Sequence, residues 1–211
     1  MKRRTLDFVL GVGGVLLAAL LAVLGFVLKD NADFAKTYVK DQLSEQQITF
    51  TAADKLSDGE EAADCLVKYA GSALDSGKKA ECYANEYIAF HLSEGAIKAG
   101  YEGATYATLG PIVSAANKAV ATAKEAGQPT EELQATADAA KGLRETAFKG
   151  ETLRGLLLTS YGFSVFGERG GQAEAVCFLI AIVLLLASIA GFIHALTTPR
   201  TELVLAPVHH D

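Results

Sequence analysis

Residues 175–196 read Ala-Val-Cys-Phe-Leu-Ile-Ala-Ile-Val-Leu-Leu-Leu-Ala-Ser-Ile-Ala-Gly-Phe-Ile-His-Ala-Leu, with no formal charge and no proline. A bilayer core is crossed by about 20 apolar residues of helix, and this run supplies them. Residues 8–28 form a second uncharged run near the start of the chain. The expected fold is therefore all-α, with two transmembrane helices flanking an extracytoplasmic helical bundle. The expected boundaries are 1–5 for a cytoplasmic N-terminus, 6–28 and 174–196 for the spans, 29–173 for the outer domain and 197–211 for a cytoplasmic tail.

Orientation follows from charge. Lys2, Arg3, Arg4 and Arg200 flank the outer ends of the runs, and short basic flanks stay in the cytoplasm. The first run is longer than the 7–15 apolar residues of a secretory signal and no Ala-x-Ala site closes it, so an uncleaved anchor is expected. Asp7 belongs at the cytoplasmic interface beside Arg3 and Arg4 rather than deep in lipid. Between the runs lie 15 basic and 22 acidic residues, a balance of −7. That sign argues against a nucleic-acid partner.

Both runs carry small residues four apart: Gly14, Ala18 and Ala22 in the first, Ala187, Gly191 and Ala195 in the second. Such strips let helices approach closely. They point to contact between the spans or with a partner's helix, or they reflect only how common alanine and glycine are in such segments. If the spans pair antiparallel, the two strips overlap only in the cytoplasmic half.

The outer domain is rich in alanine and has no tryptophan. The first helix is expected to continue outward to about Gln46, followed by an extended connector at residues 48–52. Ser57-Asp-Gly-Glu60 is a capping box and predicts a helix with Ala63, Leu66, Val67 and Ala70 inward, stopped at Gly71. After a turn at residues 71–77, a helix over 78–99 places Ala80, Ala84, Ile88, Leu92 and Ala96 on one face, with Tyr83 and Tyr87 alongside. Thr108 is read as the cap of a third helix, with Pro111 in its first turn and Ile112, Ala116, Ala119, Val120 and Ala123 as its stripe. Gly127-Gln-Pro129 is a break. Thr130-Glu-Glu opens a fourth helix with Leu133, Thr136, Ala140, Leu143 and Ala147 in a bundle rhythm. Residues 151–166 are too apolar for an exposed helix and too polar for a third span. They read as a separate helix at the membrane interface or in a protein contact, running toward Gly170-Gly171, or as a buried core helix.

Three segments, Cys65-Leu-Val-Lys-Tyr-Ala-Gly71, Tyr87-Ile-Ala-Phe-His-Leu92 and Glu151-Thr-Leu-Arg-Gly-Leu-Leu-Leu158, lie between the two spans. Their combination resembles a family of two-span actinobacterial membrane proteins of unassigned function. The resemblance covers most of the chain and includes no catalytic motif. One role it implies is that of an accessory subunit of the respiratory supercomplex.

Cys65 and Cys82 carry the clearest local chemistry. If residues 71–77 turn a helical hairpin centred near Leu74, Cys65 lies nine residues before the centre and Cys82 eight after. The two face each other on the oxidising side of the membrane, which favours a disulfide over two free thiols. Two cysteines alone do not make a metal site. Cys177, inside the second run, reads as a small apolar side chain.

The remaining motifs are weak. His91 and Glu94 share a helix face, but one His-x-x-Glu does not make a di-metal bundle site. His194 is a functional candidate as an ionisable residue in a span, although its place near the end of the run fits an interfacial position. His209-His-Asp211 reads as a flexible polar tail, with loose metal binding the lesser alternative. Residues 71–79 lack the spacing and the Ser or Thr of a phosphate loop, and no serine sits in a Gly-x-Ser-x-Gly elbow. No catalytic residue, cofactor or metal is expected, and no ligand is identified. The partners expected are the membrane and other integral membrane subunits. The alternative function is an extracytoplasmic sensor or ligand-binding bundle that signals through a partner, with a pocket near Tyr83, Tyr87 and His91.

Overall fold

The structure is a computed structural model describing residues 2–199, 202 and 204. Its elements are α1 (Arg3–Glu45), a 3-10 turn (Ala53–Lys55), α2 (Asp58–Glu61), α3 (Asp64–Tyr69), α4 (Gly77–Cys82), a π-helical turn (Tyr83–Ile88), α5 (Ala89–Lys98), α6 (Tyr106–Glu125) and α7 (Glu131–Thr197). No strand occurs among the described residues. The helices α1 and α7 each contain a stretch long and apolar enough to cross a membrane. Arg200 and the His209-His210-Asp211 tail lie outside the described residues.

The chain divides into two compact units. One comprises the described parts of residues 1–36 and 166–211; the other is Thr37–Val165. The division falls several residues inside the expected limits of 29 and 173.

The first unit is a pair of helical segments. The run at residues 8–28 is about 31 Å long at 1.5 Å per residue, enough for a hydrocarbon core. Its large side chains point away from the partner segment: Leu16 is 66% exposed and Leu20 64%, as are Leu179 (63%) and Leu186 (62%) on the other segment.

The second unit has a conventional apolar core. Val39, Leu43, Phe50, Leu66, Leu74, Ile88 and Leu157 cluster in it. The chain leaves α1 through Gln47, whose φ is +53°, and runs extended through residues 48–50. The extended stretch pairs with the turn that follows α3: Phe50 N–H donates to Ser72 O (3.0 Å) and Leu74 N–H to Ile48 O (2.8 Å). Gly71 makes that turn with φ +69°, a conformation only glycine adopts at little cost. A disulfide joins Cys65 to Cys82, with their Cα atoms 6.0 Å apart, and ties α3 to α4.

Four local features differ from expectation. The helix begun at Ser57 breaks at Ala63, which is extended (φ −99°, ψ 101°). The break turns Leu66 inward and leaves Val67 exposed. The helix over 77–98 contains a π turn in which the Ala89 amide reaches back five residues to Ala84 O; of the inward series, Ala80, Ala84, Ile88 and Ala96 are buried all the same and Leu92 is half-buried. The cap of α6 is Thr105. Thr108, the residue singled out in the sequence, is its reciprocal partner three positions on, so Pro111 falls in the second turn rather than the first. Leu109 and Ala123 are the buried positions of α6, and Ala137, Ala140 and Ala147 are buried on the opening stretch of α7, while Ala119, Leu133 and Thr136 are exposed.

The largest difference is α7. The fourth bundle helix, the separate helix at 151–166 and the second run form one uninterrupted helix. No proline occurs between Pro129 and Pro199 to stop it, and Gly170 and Gly171 lie against Ala32 instead of opening a turn.

Candidate functional site

In the first unit, most buried positions recur every seven residues. On α1 they are Gly11, Ala18, Gly25 and Ala32, with Ala35 buried outside the series, as is Thr198 after α7. On α7 they are Gly167, Ala181, Ser188 and Ala195, with half-buried Glu174 completing the series. A seven-residue repeat is the pattern of left-handed, coiled-coil-like packing. The segments run antiparallel in one register: Phe8 packs edge-on to Phe192 (5.6 Å) and Phe26 to Phe178 (5.1 Å), and Gly167 abuts Ala35. The packing extends beyond the half expected from the four-residue strips because Gly25, Ala32, Gly167 and Gly170 supply small residues at the other end.

The six strip residues take different places. Ala18 and Ala195 are buried, and Gly14 faces the Ser188 hydroxyl, which leaves no room for a Cβ at position 14. Gly191 lies beside the Asp7 carbonyl, with 3.8 Å left for a Cβ. Ala22 is half-buried. Ala187 is exposed, one position from the buried series. The relevant serine at 188 carried no signal at four-residue spacing; at seven it falls between Ala181 and Ala195.

Two ionisable residues meet across the pair. His194 Nδ1 lies 2.8 Å from Asp7 Oδ2. Thr198, nearly buried, donates its hydroxyl to His194 O at 2.8 Å. Beside them a groove of about 240 Å³ opens along the pair, lined by Asp7, Gly11, Gly14, Ala187, Ser188 and Gly191. Cys177 is a free, half-buried thiol.

In the second unit, the capping box of α2 is tied to the helix over 77–98. Glu60, 5% exposed, accepts from the Ser57 amide (2.8 Å) and hydroxyl (2.7 Å), and lies 3.3 Å from His91 Nε2. Burial raises the carboxyl pKa, but hydrogen bonds from Ser57 and His91 outweigh burial and hold it below the usual carboxylate value. Glu94, the acid three residues from His91, pairs with Lys98 instead. Ser57, Glu60 and His91 do not form a catalytic triad. The carboxylate stands in the middle and takes the serine proton's hydrogen bond, whereas nucleophilic activation needs the imidazole in that place.

Rings fill the neighbourhood where a ligand pocket was considered. Tyr83 stacks on Tyr87 at 4.6 Å, Tyr87 meets His91 edge-on at 4.5 Å, and Phe50 meets Tyr83 at 5.3 Å. Burial, with Tyr87 and Glu60 nearby, pushes the Tyr83 hydroxyl up to about 12. The π turn serves this region: Arg154 Nε donates to Ala84 O (2.9 Å) while its other nitrogens hold Glu151 and Asn85. A larger groove of about 520 Å³ lies elsewhere, between α6 and the start of α7. There Arg144 covers the Tyr106 ring at 4.1 Å and Phe148 stands beside it.

Among the described residues no group of three or more His, Cys, Asp or Glu side chains is placed to hold a metal ion. Comparison with protein-family models, curated proteins and solved structures finds no match to this chain.

Proposed function

We propose that the chain is a non-catalytic accessory or scaffold subunit of a larger cytoplasmic-membrane complex. On this reading the apolar stretches of α1 and α7 cross the membrane and both termini lie in the cytoplasm. The domain between them lies outside, where its disulfide is at home. The observation that carries the partner role is on the second unit. Leu156 is 62% exposed there, at an apolar groove of about 320 Å³ bordered by Tyr38, Val39 and Phe163. On this reading the groove and Leu156 are where the partner makes contact. The resemblance to two-span actinobacterial proteins supports the respiratory supercomplex as the address.

The test is mass spectrometry of what co-purifies with a tagged, natively expressed chain in mild detergent. Oxidase and cytochrome subunits in fixed ratio are expected. Another defined complex would keep the scaffold role and change the address. Recovery of the chain alone would sink the proposal.

A second reading, an extracytoplasmic ligand-binding bundle, is favoured by the groove between α6 and α7. The self-filled ring cluster at Tyr83, Tyr87 and His91 counts against it.

A further inference from the structure

Arg144 and Arg154 stand on one helix and use their guanidinium groups differently. Arg154 is filled: Nε donates to Ala84 O, and the terminal nitrogens hold Glu151 and Asn85. Arg144 is held but not filled. Its guanidinium lies over the Tyr106 ring at 4.1 Å, and its Nε donates to Tyr106 O at 3.3 Å. It makes no other hydrogen bond and no ion pair among the described residues. The cause is in the sequence. Glu151 stands three residues before Arg154, whereas Ala140, Lys141, Ala147 and Phe148 occupy the positions three and four from Arg144. Stacking and the Nε bond fix the plane of the fork. Its two terminal nitrogens are left without a protein partner, on a residue that lines the groove of about 520 Å³.

Charge and shape select an occupant. The groove carries three basic side chains, Lys141, Arg144 and Lys149, and two acidic ones, Asp138 and Glu145. Asp138 stands three residues before Lys141, and Glu145 four before Lys149, spacings at which opposite charges answer each other on a helix. The positive charge left over is that of Arg144. Beside it are two exposed rings, Tyr106 and Phe148, with centroids 5.4 Å apart. A planar fork matches the two oxygens of a carboxylate, and a dianionic phosphate brings one charge too many. The volume is that of a small-molecule site.

We propose that this groove binds a small aromatic monocarboxylate, with its carboxylate on the Arg144 fork and its ring against Phe148. The proposal goes beyond the accessory role and rests on the ligand-binding reading, to which it gives a chemistry.

The test is saturation-transfer NMR with benzoate on the full chain in lipid nanodiscs, with empty nanodiscs as the blank. Benzoate should bind with a Kd of about 1–10 mM. Benzamide and benzylammonium should bind about tenfold more weakly, and phenyl phosphate no more tightly than benzoate. Arg144→Gln should weaken benzoate about tenfold, and Arg144→Lys nearly as much, since an ammonium keeps the charge and loses the fork. Phe148→Ala leaves the fork in place and should weaken benzoate about threefold; because Phe148 is exposed, this variant serves even if the Arg144 variants fail to fold. Lys118→Gln removes a charge from α6 outside the groove and should change nothing. Equal losses in Lys118→Gln and Arg144→Gln, or full affinity in Arg144→Lys or Phe148→Ala, would overturn the proposal. Tighter binding of benzamide, benzylammonium or phenyl phosphate than of benzoate would overturn it while the ligand-binding reading stands. If none of the four probes binds, both fall.

Discussion

The two units bury opposite kinds of side chain. In the second, Leu66, Leu74, Phe50 and Leu43 are inside. In the first, Gly11, Ala18, Gly25 and Ala195 are inside and the leucines are outside. Water explains the second arrangement, since burying a leucine is worth about 1.5–3 kcal/mol relative to leaving it exposed. The first arrangement fits surroundings that are already apolar. There, hiding a leucine gains little, and attraction comes from the close approach that small residues allow. The lesson is that the direction of a damaging substitution should reverse between the units: shrinking side chains in one, enlarging them in the other.

Four measurements bear on that contrast, from largest effect to smallest. Leu74→Ala should destabilise the second unit by about 2–5 kcal/mol through the cavity it leaves; chemical denaturation in detergent reads this, and a loss below about 1 kcal/mol would mean that Leu74 is not a core residue. Reducing the Cys65–Cys82 bond should cost about 3 kcal/mol by releasing the loop between them. Faster trypsin cleavage within residues 37–165, with the paired segments unaffected, is the expected pattern. In the first unit, Ala195→Leu should cost about 1–3 kcal/mol by overpacking, seen as weaker cross-linking between cysteines placed at positions 8 and 192. Unchanged cross-linking would remove the contrast. Ser57→Ala should cost about 1 kcal/mol for the lost cap.

That last variant has a pH signature. The folded-state pKa of Glu60 lies below its ordinary value of 4.5. Its contribution is therefore complete above that pH and is lost as pH falls through the lower folded value. Wild type should lose stability in that acid window more than Ser57→Ala does. Equal acid profiles would show that Ser57 does not hold the charge.

Much of this was legible in short-range chemistry. Ser57 and Glu60 cap as their spacing requires, Gly71 turns at positive φ, and Cys65 and Cys82 meet across the hairpin. Each depends on neighbours within a turn or a loop. The unity of α7 was hidden because glycine has two meanings: Gly170-Gly171 reads as the end of a helix in sequence, but both residues lie against Ala32, as Gly167 lies against Ala35. The π turn has no sequence marker, since Arg154 and Asn85, which hold its carbonyl region, lie 69 positions apart. The candidate site was half visible. Asp7 and His194 stood out as charges near apolar runs, but their pairing depends on register between segments 187 residues apart. Counting in fours found Ala18 and Ala195 and passed over Ser188.

The seven-residue repeat makes the paired segments behave like a toothed rack. Removing one residue between Gly11 and Ala18 rotates everything on one side of the cut by about 100°, so one half presents leucines where the other presents glycine. Removing seven turns the helix by almost two full turns and restores the match, at the cost of uncoupling Asp7 from His194. Changes in the length of these segments should therefore be tolerated only in whole periods. Cross-linking of a one-residue and a seven-residue deletion tests this: pairing should fail in the first and survive in the second.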